Sequence, residues 1–475
     1  IPGISLVSHT RQGSKYISLP LETPPIDFAH FGAPHSAARL TQFSPFTASF
    51  NQETPMKKVH TLAAAATLCC LSSLALAQAT PGSSLSIYGL LDLGINHISG
   101  APGGSVTRLT SGNMEGTRLG FKGNEDLGGG YRAIFTLESR IEADTGGLGS
   151  RPISGNRLPD RLSTATLLGL PAALQPAVSA VAAQIGSSVG VNLGGNFFDR
   201  QIFSGLVTPF GAFTLGRQYT PAYQASAYFD VMKTESSLAL GQLVAIPASF
   251  DIRVSNSLQY GLQQGGLTAT AMYAAGEVAD KPSARRLLGA MAIYKGNGYA
   301  VGAGYNTRNN ELGDKSLTTA SVGGSVDIGP GMLTGQYVTI KDDHPTDMSG
   351  ISTALSANPA TAPVATLVQN AFIQGFKQDA RLFQIGYRIT SGVHTVSVAY
   401  NNMNDRRPFN ADRYSYGAAY TYALSKRTDL SAVFTQLKNK NTSQDLLGAA
   451  GFLGGVSATP GNTVNSMTVS MRHRF

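Results

Sequence analysis

Tryptophan is absent from this chain of 475 residues, and cysteine occurs only as the adjacent pair Cys69 and Cys70. Both cysteines fall in a segment that reads as a removable signal, so the remaining chain has no thiol. That excludes a disulfide framework and any thiolate metal site. Apolar runs of about 18 residues are also missing after the signal, which argues against a bundle of membrane helices. A β-barrel escapes this argument, because its lipid face uses only every second residue and hydropathy averages miss it. Histidine is scarce beyond the signal, with only His97, His344, His394 and His473. None of them has metal-ligand spacing, and none stands near a nucleophile signature, so neither a metal nor another cofactor is expected. There is no lysine-rich run, and nucleic acid is not expected as a partner.

The signal segment is 56–77. Lys57 and Lys58 precede the apolar stretch Leu62 to Leu76, and small-residue sites follow that place cleavage after residue 77 or 79. Residues 1–55 come before it with scattered prolines and no periodicity. They are expected to be a disordered upstream extension, outside the native protein and outside the fold. The exported part, 78–475, carries 31 basic and 25 acidic residues, a surplus of +6 that biases it toward anions.

From Leu85 onward strand-like runs alternate with turns. The stretch Thr117 to Glu142, TRLGFKGNEDLGGGYRAIFTLESRIE, is the clearest hairpin. Arg118, Gly120 and Lys122 share one face of its first run and Leu119 and Phe121 the other, the period-2 pattern of a strand between water and an apolar phase. In its second run Tyr131, Ala133, Phe135 and Leu137 lie on one side, with Arg132, Thr136, Glu138 and Arg140 on the other. About 16 such runs follow one another, and their connections are alternately very short and long. The long ones are 144–196, whose alanine-rich middle is broken by Pro171 and Pro176 and could form short helices, then 219–252 and 341–379. Short turns at one end and long loops at the other are what an outer-membrane barrel requires, and a soluble sandwich has no reason for them. RYSYGAAYTYAL places Tyr414, Tyr416, Tyr420 and Tyr422 on one face, the pattern of an interfacial aromatic girdle.

Several pieces, in order, resemble the trimeric general porins of Gram-negative bacteria, beta-proteobacterial type. They are SLSIYGLLDLGI, TRLGFKGNEDLGGGYRAIFTLES, FFDRQIFSGLVTPFGAFTLGRQYTP, RVSNSLQY, YALSKRTDL and the ending SMRHRF. The resemblance implies a 16-stranded antiparallel transmembrane β-barrel with short periplasmic turns, long external loops and a third loop folded inward. It also implies a homotrimer in the outer membrane, in contact with lipid and lipopolysaccharide. Phe475 matches the terminal aromatic through which the barrel assembly machinery recognises such chains. The alanine-rich second loop, the large sixth loop and a third loop without an acidic PEF-type motif depart from some relatives.

Such a barrel leaves an aqueous channel, and its narrowest point decides what passes. The expected pore-lining cations are Arg118, Lys122, Arg132, Arg140 and Arg200, read as one positive patch of permanent charge because guanidinium does not deprotonate in proteins. Facing them, the inward loop offers Asp230, Glu235 and Asp251. Arg217 shares the outward face of Phe213 and Leu215, where lipid would be costly for it. It is therefore expected at a subunit contact. The function expected is passive diffusion of ions and small hydrophilic solutes with a preference for anions, and no enzyme activity. Two alternatives stand beside it. A substrate-specific channel would need a longer aromatic slide than Tyr223, Tyr228 and Phe229 provide. A barrel hydrolase would rest on GSSVG at 186–190, which lies in a loop and not on a strand-to-helix elbow.

Overall fold

The computed structural model describes residues 83–244, 246 and 250–475. The expected upstream extension and signal segment lie outside the described residues. Nineteen strands follow in order: β1 (Ser84–Ala101), β2 (Gly104–Ser111), β3 (Arg118–Gly128), β4 (Tyr131–Arg140), β5 (Gln201–Thr208), β6 (Gly211–Tyr219), β7 (Arg253–Gln264), β8 (Leu267–Ala274), β9 (Leu287–Lys295), β10 (Tyr299–Asn309), β11 (Lys315–Ile328), β12 (Gly331–Asp342), β13 (Gln378–Ser391), β14 (His394–Asp405), β15 (Arg413–Ala423), β16 (Thr428–Asn439), the short pair β17 (Asp445–Leu446) and β18 (Gly455–Val456), and β19 (Thr463–Arg474). Among the described residues four α-helices lie between strands: α1 (Gln175–Ser187), α2 (Pro221–Phe229), α3 (Gly350–Ser356) and α4 (Ala365–Phe376).

Every strand but β17 and β18 belongs to one antiparallel sheet that closes on itself, β1 pairing with β19 from Leu90↔Arg474 to Ile98↔Ser466. The other edge of β1 is shared. Residues 93–101 pair with β2, and residues 84–90 pair with β3. β2 and β3 therefore occupy one lane of the wall, broken by the excursion 112–117, and the sheet is the expected barrel of 16 strands. Asp92 holds the excursion by accepting hydrogen bonds from the backbone N–H of Met114 (2.6 Å) and Glu115 (2.8 Å).

Alternation assigns the two faces as the sequence predicts. Leu85, Ile87, Ile95, Phe213, Leu215 and Tyr337 point outward and are exposed, as a lipid-facing wall requires. Neighbouring positions on the inner face are polar, and on β12 to β15 they join into a ladder. Gln336 donates to Gln384 (3.1 Å), Gln384 to Asn401 (2.8 Å) and Asn401 to Ser415 (3.1 Å). At the β7–β8 turn Gly265 and Gly266 both take positive φ, +56° and +83°, the conformation that lets a two-residue hairpin follow the twist of its strands.

The loop between β6 and β7, here L3, folds into the barrel. Its helix α2 lies on the inner wall because the wall is glycine there. A Cβ added at Gly304 would stand 2.6 Å from that of Ala225, and one at Gly323 would stand 2.5 Å from the Phe229 ring. The amide ladder then receives the rest of the loop. Ser226 donates to Gln336 (2.8 Å), the Val231 N–H to Gln384 (3.1 Å), and Asn401 to the Leu238 carbonyl (2.8 Å). Above it, Leu240, Leu243 and Val244 are buried with inward-facing Ile98, Leu382 and Leu437 and with Leu446 and Leu447 of the last external loop. The open part of the lumen is thereby left on the side of β3 to β7.

Candidate pore constriction

On that side two of the predicted cations meet. Arg118 opens β3 and Arg200 stands just before β5; both turn toward Glu138 of β4, which lies in the lane between them. Arg200 Nε is 2.7 Å from Glu138 Oε1 and Arg118 Nε is 3.3 Å from Oε2. The Tyr88 hydroxyl donates to the same carboxylate at 3.2 Å. Tyr219, the last residue of β6, extends the group: its hydroxyl accepts from Arg200 (3.2 Å) and from Arg253 (2.5 Å), and the Arg253 guanidinium stands 4.3 Å over its ring. Tyr223 of α2 stacks on Tyr219 at 5.4 Å between centroids. Three guanidiniums are thus held in place by one wall carboxylate, two stacked tyrosines and Tyr88.

A second group adjoins it. Glu115, carried inward by the excursion, pairs with Arg118 and also with Arg472 (3.2 Å) and Arg474 (3.3 Å) of β19. Arg472 in turn binds Glu235 of L3 (3.0 Å) and Asp429 of β16 (3.1 Å). One buried arginine therefore ties the tip of the inward loop, the excursion and the wall together. Met114 of the excursion packs against the same stretch of L3, beside Met232 and Leu238.

The other predicted residues lie elsewhere. Arg140 is directly opposite Arg118 in the β3–β4 register, and like charges so placed repel. It turns away to Asp199 (3.4 Å) and Glu142 (3.6 Å) and donates to the Gly451 carbonyl of the last external loop (2.6 Å). At 5% exposure it pins that loop and does not face the pore. Lys122 stands 5.4 Å over the Tyr88 ring, exposed on the periplasmic side of the constriction. Arg132 is opposite Asp126, at the start of β4. Eight residues of strand separate Arg132 from Arg140, roughly 26 Å along the chain, so the predicted cations form a line down the wall and not one patch.

Of the loop carboxylates, Glu235 reaches Arg472, which is bridged to Arg118 through Glu115. Asp230 is buried and accepts from the N–H groups of Met232 (2.8 Å) and Leu240 (3.0 Å) and from Gln384 (3.2 Å), which makes it an anchor of L3. Asp251 binds Arg308 of β10 at 2.8 Å near the external rim. Arg217 lies at the register shift between Gly216 and Gln218 and donates to the Asp199 carbonyl (2.6 Å) and to Ser255 (3.1 Å). Phe475 exchanges both backbone hydrogen bonds with Gly89 at 3.1 Å, and its half-exposed ring lies over that glycine on the outer wall. Ser188 of GSSVG ends α1, its hydroxyl donating to the Ile185 carbonyl (2.7 Å).

Sequence reasoning placed Glu138 on the wet face but gave it no role. It passed over Glu115, Arg253 and Arg472. Glu138 and Arg253 carried a usable signal, since each is a charged residue on or at the end of a lumenal strand beside a predicted cation. Glu115 lies in a segment without periodicity, and nothing local marks it.

A family model for Gram-negative porins matches residues 61–442. Outer membrane porin protein 32 of Delftia acidovorans is 26% identical over 411 residues, which span 83% of this chain and 94% of that one. Among solved structures, the anion-selective porin from Comamonas acidovorans superposes with a TM-score of 0.61 at 22% identity, covering 83% of this chain and 100% of that one. The trimer form of OmpT from Vibrio cholerae gives 0.52 at 12% identity, covering 83% and 99%. With a closed barrel of the expected strand number and a family match over most of its length, this chain belongs to the Gram-negative porins of the outer membrane.

Proposed function

We propose that this outer-membrane porin prefers anions among the ions and small hydrophilic solutes that diffuse through it. The observation that carries this reading is the trio Arg118, Arg200 and Arg253, converging where L3 narrows the lumen. Two carboxylates, Glu138 and Glu115, touch this trio, and Glu115 is shared with Arg472 and Arg474. A surplus of fixed positive charge at the narrowest point concentrates anions and repels cations. The name of the Comamonas relative, an anion-selective porin, points the same way. Reversal potential across a KCl gradient tests it. A chloride-selective sign is expected, and a cation-selective sign overturns the reading.

The working unit we propose is a homotrimer in contact with lipid and lipopolysaccharide, with Arg217 at the subunit contact and Phe475 as the feature read by the barrel assembly machinery. Transport needs no chemical step. Ser188, the one residue that matched a nucleophile signature, uses its hydroxyl to cap a helix. In the proposed layout 1–55 is not part of the working protein, 56–77 directs export and 78–475 is the porin.

A further inference from the structure

The second and sixth external loops leave the barrel on opposite sides and meet. L2 joins β4 to β5 and L6 joins β12 to β13. With β2 and β3 in one lane, these two gaps lie eight lanes apart in a barrel of 16, which is half the circumference. Strand spacing and tilt give such a barrel a backbone diameter of about 30 Å. Yet L2 and L6 share one apolar core, in which Leu162, Val178 and Val181 pack with Ile351, Val368 and Phe372. Leu162, Val178, Val368 and Phe372 are fully buried. Two loops rooted that far apart can bury a common core only by spanning the mouth.

Polar contacts tie the span to its surroundings. Arg161 of L2 donates to the Gly375 carbonyl of L6 at 3.4 Å. The last external loop joins from a third direction, with Gln444 accepting from the Asp160 N–H (2.7 Å) and the Val456 N–H donating to Ser154 (3.0 Å). Ile246, on the returning limb of L3, is buried in the same core. Elements from three sectors of the rim and from the constriction loop thus converge on one packed unit.

We propose that L2 and L6 form a fixed helical roof over the external mouth, and that this roof sets the largest solute able to reach the arginines. Solutes pass around it and the roof does not open for each passage, because opening would expose a packed apolar core to water. The proposal rests on the channel reading and is independent of ion preference. Size and charge are selected at different heights, the first by the roof and the second by Arg118, Arg200 and Arg253.

The test replaces residues 350–376 by a short glycine–serine link and measures liposome swelling with sugars of increasing size, together with the reversal potential. The trisaccharide-to-monosaccharide rate ratio is expected to rise about fivefold or more with the sign of the reversal potential unchanged; an unchanged ratio overturns the roof. Should the shortened chain fail to assemble, Phe372→Asp breaks the core with the loops intact, and the same two outcomes apply. Leu162→Cys with Gly375→Cys tests fixity, since a Cβ at Gly375 lies 3.0 Å from the Leu162 side chain and the described residues contain no cysteine. The oxidised pair is expected to conduct KCl as the reduced pair does. Loss of conductance on oxidation would show that the loops must part.

Discussion

Glu138→Gln isolates the charge at the constriction from its shape. Glutamine keeps one oxygen, so the 2.7 Å contact from Arg200 can persist, while its amide NH2 replaces the oxygen that accepts from Tyr88 and can donate to that hydroxyl instead; the negative charge is lost together with the contact to Arg118. A permeating ion beside Arg118, whose Nε lies 3.3 Å from Glu138, passes the former carboxylate at about 5 Å, where a unit charge in water is worth about 0.8 kcal/mol. Screening at 0.1 M salt, with a Debye length near 10 Å, reduces this to about 0.5 kcal/mol. An anion gains that amount and a cation loses it. The permeability ratio is therefore expected to shift by about 1 kcal/mol, roughly fivefold toward chloride. At 1 M salt the Debye length is near 3 Å and the shift should shrink to less than about twofold. Reversal potentials of wild type and variant in KCl gradients at both ionic strengths measure it. A shift toward cations, or one of equal size at both salt levels, would refute an electrostatic origin.

Three more outcomes follow from the geometry. Arg472→Ala removes the partner of Glu235 on the L3 tip and one of the three arginines that hold Glu115 of the excursion; single-channel current noise should rise severalfold and Arg472→Lys should restore part of the quiet state, whereas quiet traces from the alanine variant would mean that Asp230 and the amide ladder hold L3 alone. Arg217→Ala is expected to lower the temperature at which the oligomer dissociates in detergent, and unchanged heat resistance would remove Arg217 from the subunit contact. In the loop between β10 and β11, Glu311 accepts hydrogen bonds from the N–H groups of Asp347 (2.7 Å) and Ser349 (3.1 Å) and so clamps L6. Burial pushes this carboxyl up, but the hydrogen bonds outweigh it and bring it from 4.5 down to about 2. A folded-state value below the unfolded one means that the clamp contributes fully above about pH 4.5 and is lost as the pH falls toward 2. Acid-protease cleavage of L6 should rise across that window in the wild type and stay flat in Glu311→Gln; parallel profiles would count against the clamp.

What a strand reveals locally is which way a residue faces, and this was legible throughout. The alternation in TRLGFKG and YRAIFTLESR put Arg118, Lys122, Arg132 and Arg140 on the wet face of their strands, and the β3–β4 register sets Arg118 against Arg140 and Lys122 against Thr136. Height along the axis and choice of partner are not local properties. Arg118 and Arg140 look alike in sequence, yet their opposition in register drives one down to Glu138 and the other up to the last external loop. Asp230 resembled a pore carboxylate, but the glutamine that receives it, Gln384, is 154 residues away. The L2–L6 core escaped for the same reason: Pro171 and Pro176 marked an irregular segment, while the partner helix α4 lies far along the chain. Period-2 alternation is enforced residue by residue by the two phases on either side of the wall, whereas docking depends on closure of the whole barrel.

The glycines under L3 make aperture a matter of wall thickness. At Gly323 even a methyl group would stand 2.5 Å from Phe229, and at Gly304 it would meet Ala225 at 2.6 Å. Each added carbon there acts as a shim behind the loop, pushing it toward the arginines without altering any charge. Pore width can thus drift by single-atom steps on the far wall while the residues that sense ions stay the same, so that bore and sign are separately adjustable in one barrel.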